Sequence, residues 1–221
     1  MRNTFGLLGD GSCAQRHKSV IASVGGKISW IYDPKSDPLR EPHLPDYFSY
    51  TDYVVIASPN YLHRSQTKWA LQRGSKVIVE KPAVLPWEPL IDDDRVNICL
   101  PFRFLEDLPE SEVDVVRVIF VRPEGLSGWR DSVRESGGIL AEFFIHYIDL
   151  AQRCFARADC SIRSEGKEER ALLDAAGEVV YDLASVDMNS LYFRMYAEIL
   201  EGRGVRPSNV FLLHDALSHF H

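Results

Sequence analysis

A glycine-rich turn close to the start of the chain restricts its fold more than any other feature. Residues 4–8 are typical of a short buried strand, the turn follows at once, and residues 15–24 have helical character. The turn fits the pattern G-x-G-x-x-A. In that pattern Gly9 permits a tight turn, Gly11 leaves room for a pyrophosphate, and Ala14 lets helix and strand pack closely. Strand, turn and helix together predict a Rossmann-type parallel sheet that binds a dinucleotide.

A second predicted strand ends at an acidic residue. Residues 28–32 form the strand, and Asp33 follows it, roughly twenty residues beyond the first glycine of the turn. An acid there accepts hydrogen bonds from a ribose 2′-hydroxyl and repels a 2′-phosphate, so NAD is favoured over NADP. The phosphates are expected at the start of the first helix, where Ser12 and Cys13 supply N–H groups.

Two further strands complete the first half of the chain. Residues 53–57 and 77–79 are apolar runs, and a predicted helix over residues 64–73 joins them, with Trp69, Ala70 and Leu71 expected to face the sheet. Parallel connections of this kind are right-handed, so the segments after the strands open toward the same edge as the glycine turn. The polar residues at that edge are Ser58, Pro59, Asn60 and His63 after the first strand and Glu80 and Lys81 after the second.

Composition excludes several classes of protein. The chain has 221 residues and a net charge of −7, and it lacks the basic face that a nucleic-acid partner requires. Its four cysteines show no C-x-x-C spacing, which argues against a zinc knuckle or a disulfide framework, and no metal site is expected. The first residues hold no long apolar leader segment, and no apolar run reaches membrane-spanning length. We therefore expect a cytoplasmic protein without a membrane partner.

Four motifs follow one another along the chain. They are G-x-G-x-x-A with His17, S-P-N-x-x-H at residues 58–63, E-K-P at residues 80–82, and a segment over residues 136–150 similar to G-G-x-L-x-D-x-G-x-H-x-x-D. Their order resembles the Gfo/Idh/MocA family of NAD(P)-dependent sugar oxidoreductases. The residues in and around the second and third motifs, together with Trp87 and Trp129, are most similar to bacterial UDP-N-acetylglucosamine and UDP-N-acetylglucosaminuronate 3-dehydrogenases. The resemblance implies oxidation of a secondary hydroxyl, at C3 in that subfamily, of a sugar or nucleotide-linked sugar.

The resemblance directs attention to three residues for catalysis. Alcohol oxidation removes the hydroxyl proton while hydride leaves for the nicotinamide, so a base must lie beside the cofactor. Lys81 serves as that base if burial keeps it partly neutral, or as a cation that stabilises the developing alkoxide. His146, with a reference pKa of about 6.5, is the other candidate base. Glu142 lies four residues earlier on a helix predicted over residues 138–155 and shares its face.

Two positions depart from the family pattern. Glu142 stands where the pattern has aspartate, and Phe144 stands where it has glycine. The longer carboxylate moves the charge, and errors of position are costly in catalysis. The alternative to an active enzyme is therefore an NAD-binding module of the same fold that has lost turnover and serves as a regulator or partner.

The second half is expected to bind substrate and to mediate assembly. We place a dinucleotide-binding domain over residues 1–101 and a reduced α+β domain with an open mixed sheet over residues 102–221. Candidate contacts to a sugar or diphosphate are Arg103, Trp129 and Arg130, together with Lys81 and His146, because arginine binds phosphate bidentately. A sheet of few strands leaves an apolar face, which with the family resemblance predicts a homodimer or homotetramer.

Overall fold

The computed structural model describes residues 2–33, 48–105, 117–119, 128–138, 141–142, 145–146, 148–149, 161–163, 172–175, 178–182 and 186–218. Five strands form one sheet in the order β2-β1-β3-β4-β5. They are β1 (Thr4–Leu8), β2 (Lys27–Tyr32), β3 (Tyr53–Ile56), β4 (Lys76–Val79) and β5 (Val96–Ile98). Every neighbouring pair is parallel. The chain changes direction across the sheet between β1 and β3, which creates the crevice in which α/β sheets bind ligands. The predicted Rossmann-type sheet is confirmed.

Two helices connect the first strands. Helix α1 (Ser12–Ser23) lies between β1 and β2, and α2 (His63–Gln72) lies between β3 and β4 after a 3₁₀ turn at Asn60–Leu62. Of the predicted face of α2, Ala70 is fully buried, and Trp69 and Leu71 are partly buried and pack against the same core. The buried side follows helical spacing and consists of His63, Gln66, Thr67 and Ala70.

The last part of the described chain covers both faces of the sheet. Helix α4 (Met188–Leu200) packs beside α1, and its Tyr192, Met195, Tyr196 and Ile199 are buried in one core with Phe5, Leu7 and Val55. A short α3 (Val133–Ser136) precedes it near the cleft. Helix α5 (Phe211–Ser218) follows a 3₁₀ turn at Pro207–Val210 and buries Leu213 and Leu217 in the other core, against Val54 and Val77. The predicted domain boundary at residue 101 therefore separates the sheet from helices that pack on it.

The middle of the chain contributes two further pairs of strands. β6 (Arg117–Ile119) pairs in parallel with β7 (Ser161–Arg163), and β8 (Leu172–Ala175) pairs antiparallel with β9 (Glu178–Asp182). Among the described residues these are two separate two-stranded sheets, and the predicted open mixed sheet stays a prediction. Residues 138, 141–142, 145–146 and 148–149 are helical, and the rest of the predicted helix, including Phe144, lies outside the described residues. Within the described ranges no helix has the length and apolar character needed to cross a bilayer.

Candidate active site

A cleft of about 530 Å³ opens at the carboxyl ends of the first four strands. It is bounded by the glycine turn on one side and by residues of the second half on the other. Its walls contain most of the residues that the sequence predicted for cofactor and substrate: Gly9, Gly11, Ser12, Cys13, Asp33, Ser58, Pro59, Asn60, His63, Glu80, Lys81, Trp129, Arg130, Glu142 and His146. The chain thus brings both predicted sets together in a single cavity.

The glycine turn leaves open the space that a phosphate needs. Gly9 adopts φ +97°, and a Cβ there would lie 2.5 Å from the main-chain oxygen of Ala57. Gly11 is the N-cap of α1, and a Cβ placed on it would meet no atom within 4 Å. No side chain among the described residues caps this end of α1, so its N–H groups face the cleft. Ala14 is fully buried and contributes packing only. The turn fits a pyrophosphate.

Asp33 lies beside the turn at the end of β2. Its Oδ2 accepts a hydrogen bond of 2.9 Å from the main-chain nitrogen of Asp10. Asp10 in turn pairs with Lys18, whose ammonium lowers the pKa of that carboxyl. The Asp33 carboxylate is therefore fixed at the mouth of the cleft, where the sequence predicted a ribose contact.

Two side chains of the S-P-N-x-x-H motif form hydrogen bonds to main-chain oxygens of neighbouring segments. His63 is fully buried, and its Nδ1 and Nε2 lie 2.7 and 2.9 Å from the main-chain oxygens of Pro82 and Ser58. Burial lowers the pKa of this imidazole. The Asn60 side chain donates to the main-chain oxygen of Ser136 at 2.7 Å. His63 and Asn60 line the predicted cofactor space, and their polar atoms bond to the neighbouring main chain.

Glu80 is a buried carboxylate on which several donors converge. Its Oε1 lies 2.6 Å from the Tyr192 hydroxyl, 3.0 Å from His17 Nε2 and 3.1 Å from Cys13 Sγ. Burial opposes its ionisation, but the His17 contact, the Lys81 charge and the Tyr192 hydroxyl together hold the pKa of Glu80 below its usual range. Glu80 is therefore an anion held under the floor of the cleft.

The same cluster has the spacing of a metal site. The ligand atoms of Cys13, His17 and Glu80 lie within 4.8 Å of one another. However, sulfur and imidazole already bond to one carboxylate oxygen, and burial followed by the Glu80 charge raises the pKa of the Cys13 thiol. Metal binding would require deprotonating that thiol, so the cluster serves better as a hydrogen-bond network.

Lys81 extends across the cleft to the second half. Its Nζ donates to the main-chain oxygen of Glu142. The Glu142 carboxylate is buried and forms an ion pair with Arg130, with Nε and Oε1 2.8 Å apart. The Arg130 guanidinium also lies over the Trp129 ring, 5.2 Å from its centre, within the distance of about 6 Å at which cation–π attraction acts. The predicted catalytic Glu142 thus orients a predicted substrate residue.

His146 lies on the same wall, and its ring is 5.3 Å from that of Phe102. Burial, followed by the positive charge of Lys81, lowers the pKa of His146 to about 3. Its Nδ1 is buried and makes no hydrogen bond within the described part of the chain. This lowered pKa favours the neutral imidazole at physiological pH.

Arg103 does not take the predicted substrate position. Its Nε lies 3.0 and 2.8 Å from the two carboxylate oxygens of Asp149, and its Nη2 donates to the main-chain oxygen of Asn209 at 3.1 Å. Arg103 lies outside the walls of the cleft. The interpretation of Arg103 as a sugar or phosphate ligand is replaced by an ion pair that joins two segments of the fold.

Sequence comparison finds a family that resembles the first part of the chain. Residues 4–92 match the sequence model of Gfo/Idh/MocA, an oxidoreductase family with an NAD-binding Rossmann fold. The chain is therefore similar to this family over residues 4–92, and the match supports the predicted resemblance for these residues.

Several solved structures share the fold of the whole chain. The WlbA (WbpB) dehydrogenase of Thermus thermophilus, in complex with NAD and UDP-GlcNAcA, is 21% identical with a TM-score of 0.75, over 99% of this chain and 94% of that chain. The WlbA dehydrogenase of Bordetella pertussis, with NADH and UDP-GlcNAcA, is 17% identical with a TM-score of 0.68, over 100% and 94%. A myo-inositol dehydrogenase from Corynebacterium glutamicum is 16% identical with a TM-score of 0.65, over 99% and 95%. At these identities the likeness shows the fold.

The Gfo/Idh/MocA motifs did not reveal every residue of the site. Arg16, Met188 and Tyr192 also line the cleft, and the Arg16 guanidinium lies 5.1 Å from the centre of the Tyr192 ring. Tyr192 and Tyr196 are four residues apart, which predicts one shared helix face. No local signal, however, assigns that face to α1 rather than to another element.

Proposed function

We propose that this chain is an NAD-dependent dehydrogenase that oxidises a secondary hydroxyl of a sugar. The observation that supports this best is the cleft itself, in which Lys81 and His146 face the opening left by Gly11 and the N-terminus of α1. A cation and a neutral imidazole beside a dinucleotide site are the groups that alcohol oxidation requires.

The residues of the glycine turn and Asp33 would hold NAD. Gly11 leaves the space, the N-terminus of α1 provides N–H groups for the pyrophosphate, and Asp33 accepts from ribose. The chemistry that NAD supplies when bound is acceptance of a hydride from the substrate carbon.

Lys81 and His146 have different roles at the substrate hydroxyl. The Lys81 ammonium, anchored toward the main-chain oxygen of Glu142, stabilises negative charge as it develops on the substrate oxygen. The neutral His146 accepts the hydroxyl proton. Burial, followed by the charge of Lys81, lowers the pKa of His146, and a developing alkoxide beside Lys81 would offset the second of these two effects.

Trp129 and Arg130, which line the cleft, indicate the class of substrate. Trp129 offers a flat apolar surface, and Arg130, oriented by its ion pair with Glu142, offers donors to an anionic group. We therefore propose a sugar that carries an anion, such as UDP-N-acetylglucosamine or its uronate, oxidised at C3. Support comes from the WlbA structures, which contain UDP-GlcNAcA and share this fold.

The direct test is NADH formation, followed by absorbance, when the protein and NAD are offered UDP-N-acetylglucosamine, its uronate and free sugars. Turnover with one of them, reduced about a hundredfold or more in Lys81→Met, supports the proposal, since removing one oxyanion-stabilising donor has an effect of that order. Lys76→Met, which changes an exposed lysine on the same strand, is the matched control. Tight NAD binding without turnover on any sugar would instead indicate a cofactor-binding module that has lost catalysis.

A further inference from the structure

Helix α4 contacts the side chain of Glu80, the residue that directly precedes Lys81. The Tyr192 hydroxyl donates to Glu80 Oε1 at 2.6 Å. One turn later, the Tyr196 hydroxyl lies 2.7 Å from His17 Nδ1, and His17 Nε2 lies 3.0 Å from the same Glu80 oxygen. The direct contact from Tyr192 and the contact from Tyr196 through His17 both end on Glu80 Oε1. Two tyrosines from the last third of the chain therefore fix a carboxylate at the end of β4.

The directions of these hydrogen bonds follow from the charge of Glu80. An ionised carboxylate only accepts, so His17 Nε2 carries the proton of that contact, and the other ring nitrogen, Nδ1, pairs with the Tyr196 hydroxyl. Glu80 and both tyrosines are buried. A buried anion that loses one donor remains under-satisfied, which makes each donor costly to remove.

We propose that Tyr192 is a positioning residue for Lys81 and acts through Glu80; the inference rests on the proposed role of Lys81 in sugar oxidation. Glu80 Oε1 is occupied by its three donors, while Oε2 lies 3.3 Å from the main-chain nitrogen of Lys81. Without the Tyr192 hydroxyl, the nearby Lys81 ammonium is the cation that best compensates the buried charge. The carboxylate then turns toward that ammonium and holds it away from the substrate.

The variant Tyr192→Phe isolates the hydroxyl. It keeps the ring that lies against His17 and beneath Arg16. The first measurement is the rate at which Lys81 reacts with a small amine-specific reagent, followed by mass spectrometry, because this readout needs no substrate. We expect labelling of Lys81 to slow by about tenfold, the factor that corresponds to one hydrogen bond to a charged group. Tyr53→Phe, a change at a buried tyrosine of the same core outside the network, should label at the wild-type rate.

The second measurement asks whether Tyr192 acts through Glu80. In a double-mutant cycle, Glu80→Gln removes the charge that would capture Lys81, so adding Tyr192→Phe to it should change Lys81 labelling little. An equally large effect of Tyr192→Phe in both backgrounds would overturn the proposal. So would a lowered melting temperature accompanied by wild-type labelling, because a purely structural tyrosine would give that result.

Turnover separates this inference from the proposed function. Where a sugar substrate is oxidised, Tyr192→Phe should lower kcat by about tenfold, because the Lys81 ammonium is then held away from the substrate. A wild-type protein that oxidises no sugar would refute the proposed function, and the labelling rates would still decide whether Tyr192 positions Lys81.

Discussion

Substituting alanine for each of three glycines separates folding from cofactor binding in this chain. Gly9 and Gly25 both have positive φ, at +97° and +72°, whereas Gly11 does not. A Cβ at Gly9 would lie 2.5 Å from a main-chain oxygen, while a Cβ at Gly25 or Gly11 would meet nothing within 4 Å. Backbone strain and steric overlap can therefore be measured one at a time.

The magnitudes follow from these environments. An alanine at positive φ costs about 1–2 kcal/mol, which is the full effect expected for Gly25→Ala. Gly9→Ala adds a main-chain clash of about 1–3 kcal/mol, for a total of roughly 2–5 kcal/mol, and for a chain of this size the melting temperature should fall by about 5–15 °C. Gly11→Ala should leave stability within about 0.5 kcal/mol of the wild type.

NAD affinity should show the opposite order. A methyl group at Gly11 occupies the space in front of the N-terminus of α1, and loss of one charge-assisted hydrogen bond to phosphate weakens binding by about tenfold to a hundredfold. Calorimetric titration with NAD and thermal unfolding without NAD give the two quantities for all three variants. Unchanged NAD affinity in Gly11→Ala would show that phosphate does not approach this turn.

Three further predictions concern other parts of the fold. Arg103→Met leaves the buried Asp149 carboxylate without its bidentate partner, so the free energy of unfolding in urea should fall by about 3–5 kcal/mol. An unchanged free energy of unfolding would contradict this structural role of Arg103. The pKa of His146 is lowered to about 3, so the stability that its neutral form provides is complete above about pH 6.5 and is lost as the pH falls toward 3. His146→Asn should therefore reduce the pH dependence of the free energy of unfolding between about pH 6.5 and 5. An unchanged pH dependence would contradict the lowered pKa of His146. Phe211 and Leu212 are exposed apolar residues of α5, and light scattering should show a homodimer or homotetramer that Leu212→Ser weakens; a monomeric wild type at all concentrations would refute the predicted assembly.

The sequence predicted the first four strands because each is an apolar run next to a glycine or proline signal. The strand β5 escaped notice because it has only three residues and Asn97 interrupts its apolar character. The structure shows that Asn97 is buried and donates its side-chain amide to the main-chain oxygen of Val77 at 3.1 Å. A polar residue satisfied by a neighbouring strand cannot be distinguished from a loop residue without that neighbour.

The candidate site was predictable where topology alone brings residues together. The glycine turn, Asp33 and Lys81 all follow parallel strands, and such strands open at one edge. The position of Arg103 outside the cleft was not foreseen, and Tyr192 was missed, for a common reason. Their partners, Asp149 and Glu80, are distant in sequence, and helix packing rather than local pattern decides which charges meet.

The packing of α4 and α5 makes the cofactor-binding unit discontinuous in sequence. Its sheet and the helices α1 and α2 come from the first hundred residues, but the two further helices that pack on the sheet begin only at Met188. During synthesis, the sheet therefore emerges before these two helices, and the Tyr192 donor to Glu80 arrives late. Insertions or deletions between residues 105 and 186 can accordingly change the part proposed to face the substrate while the sheet keeps its own packing.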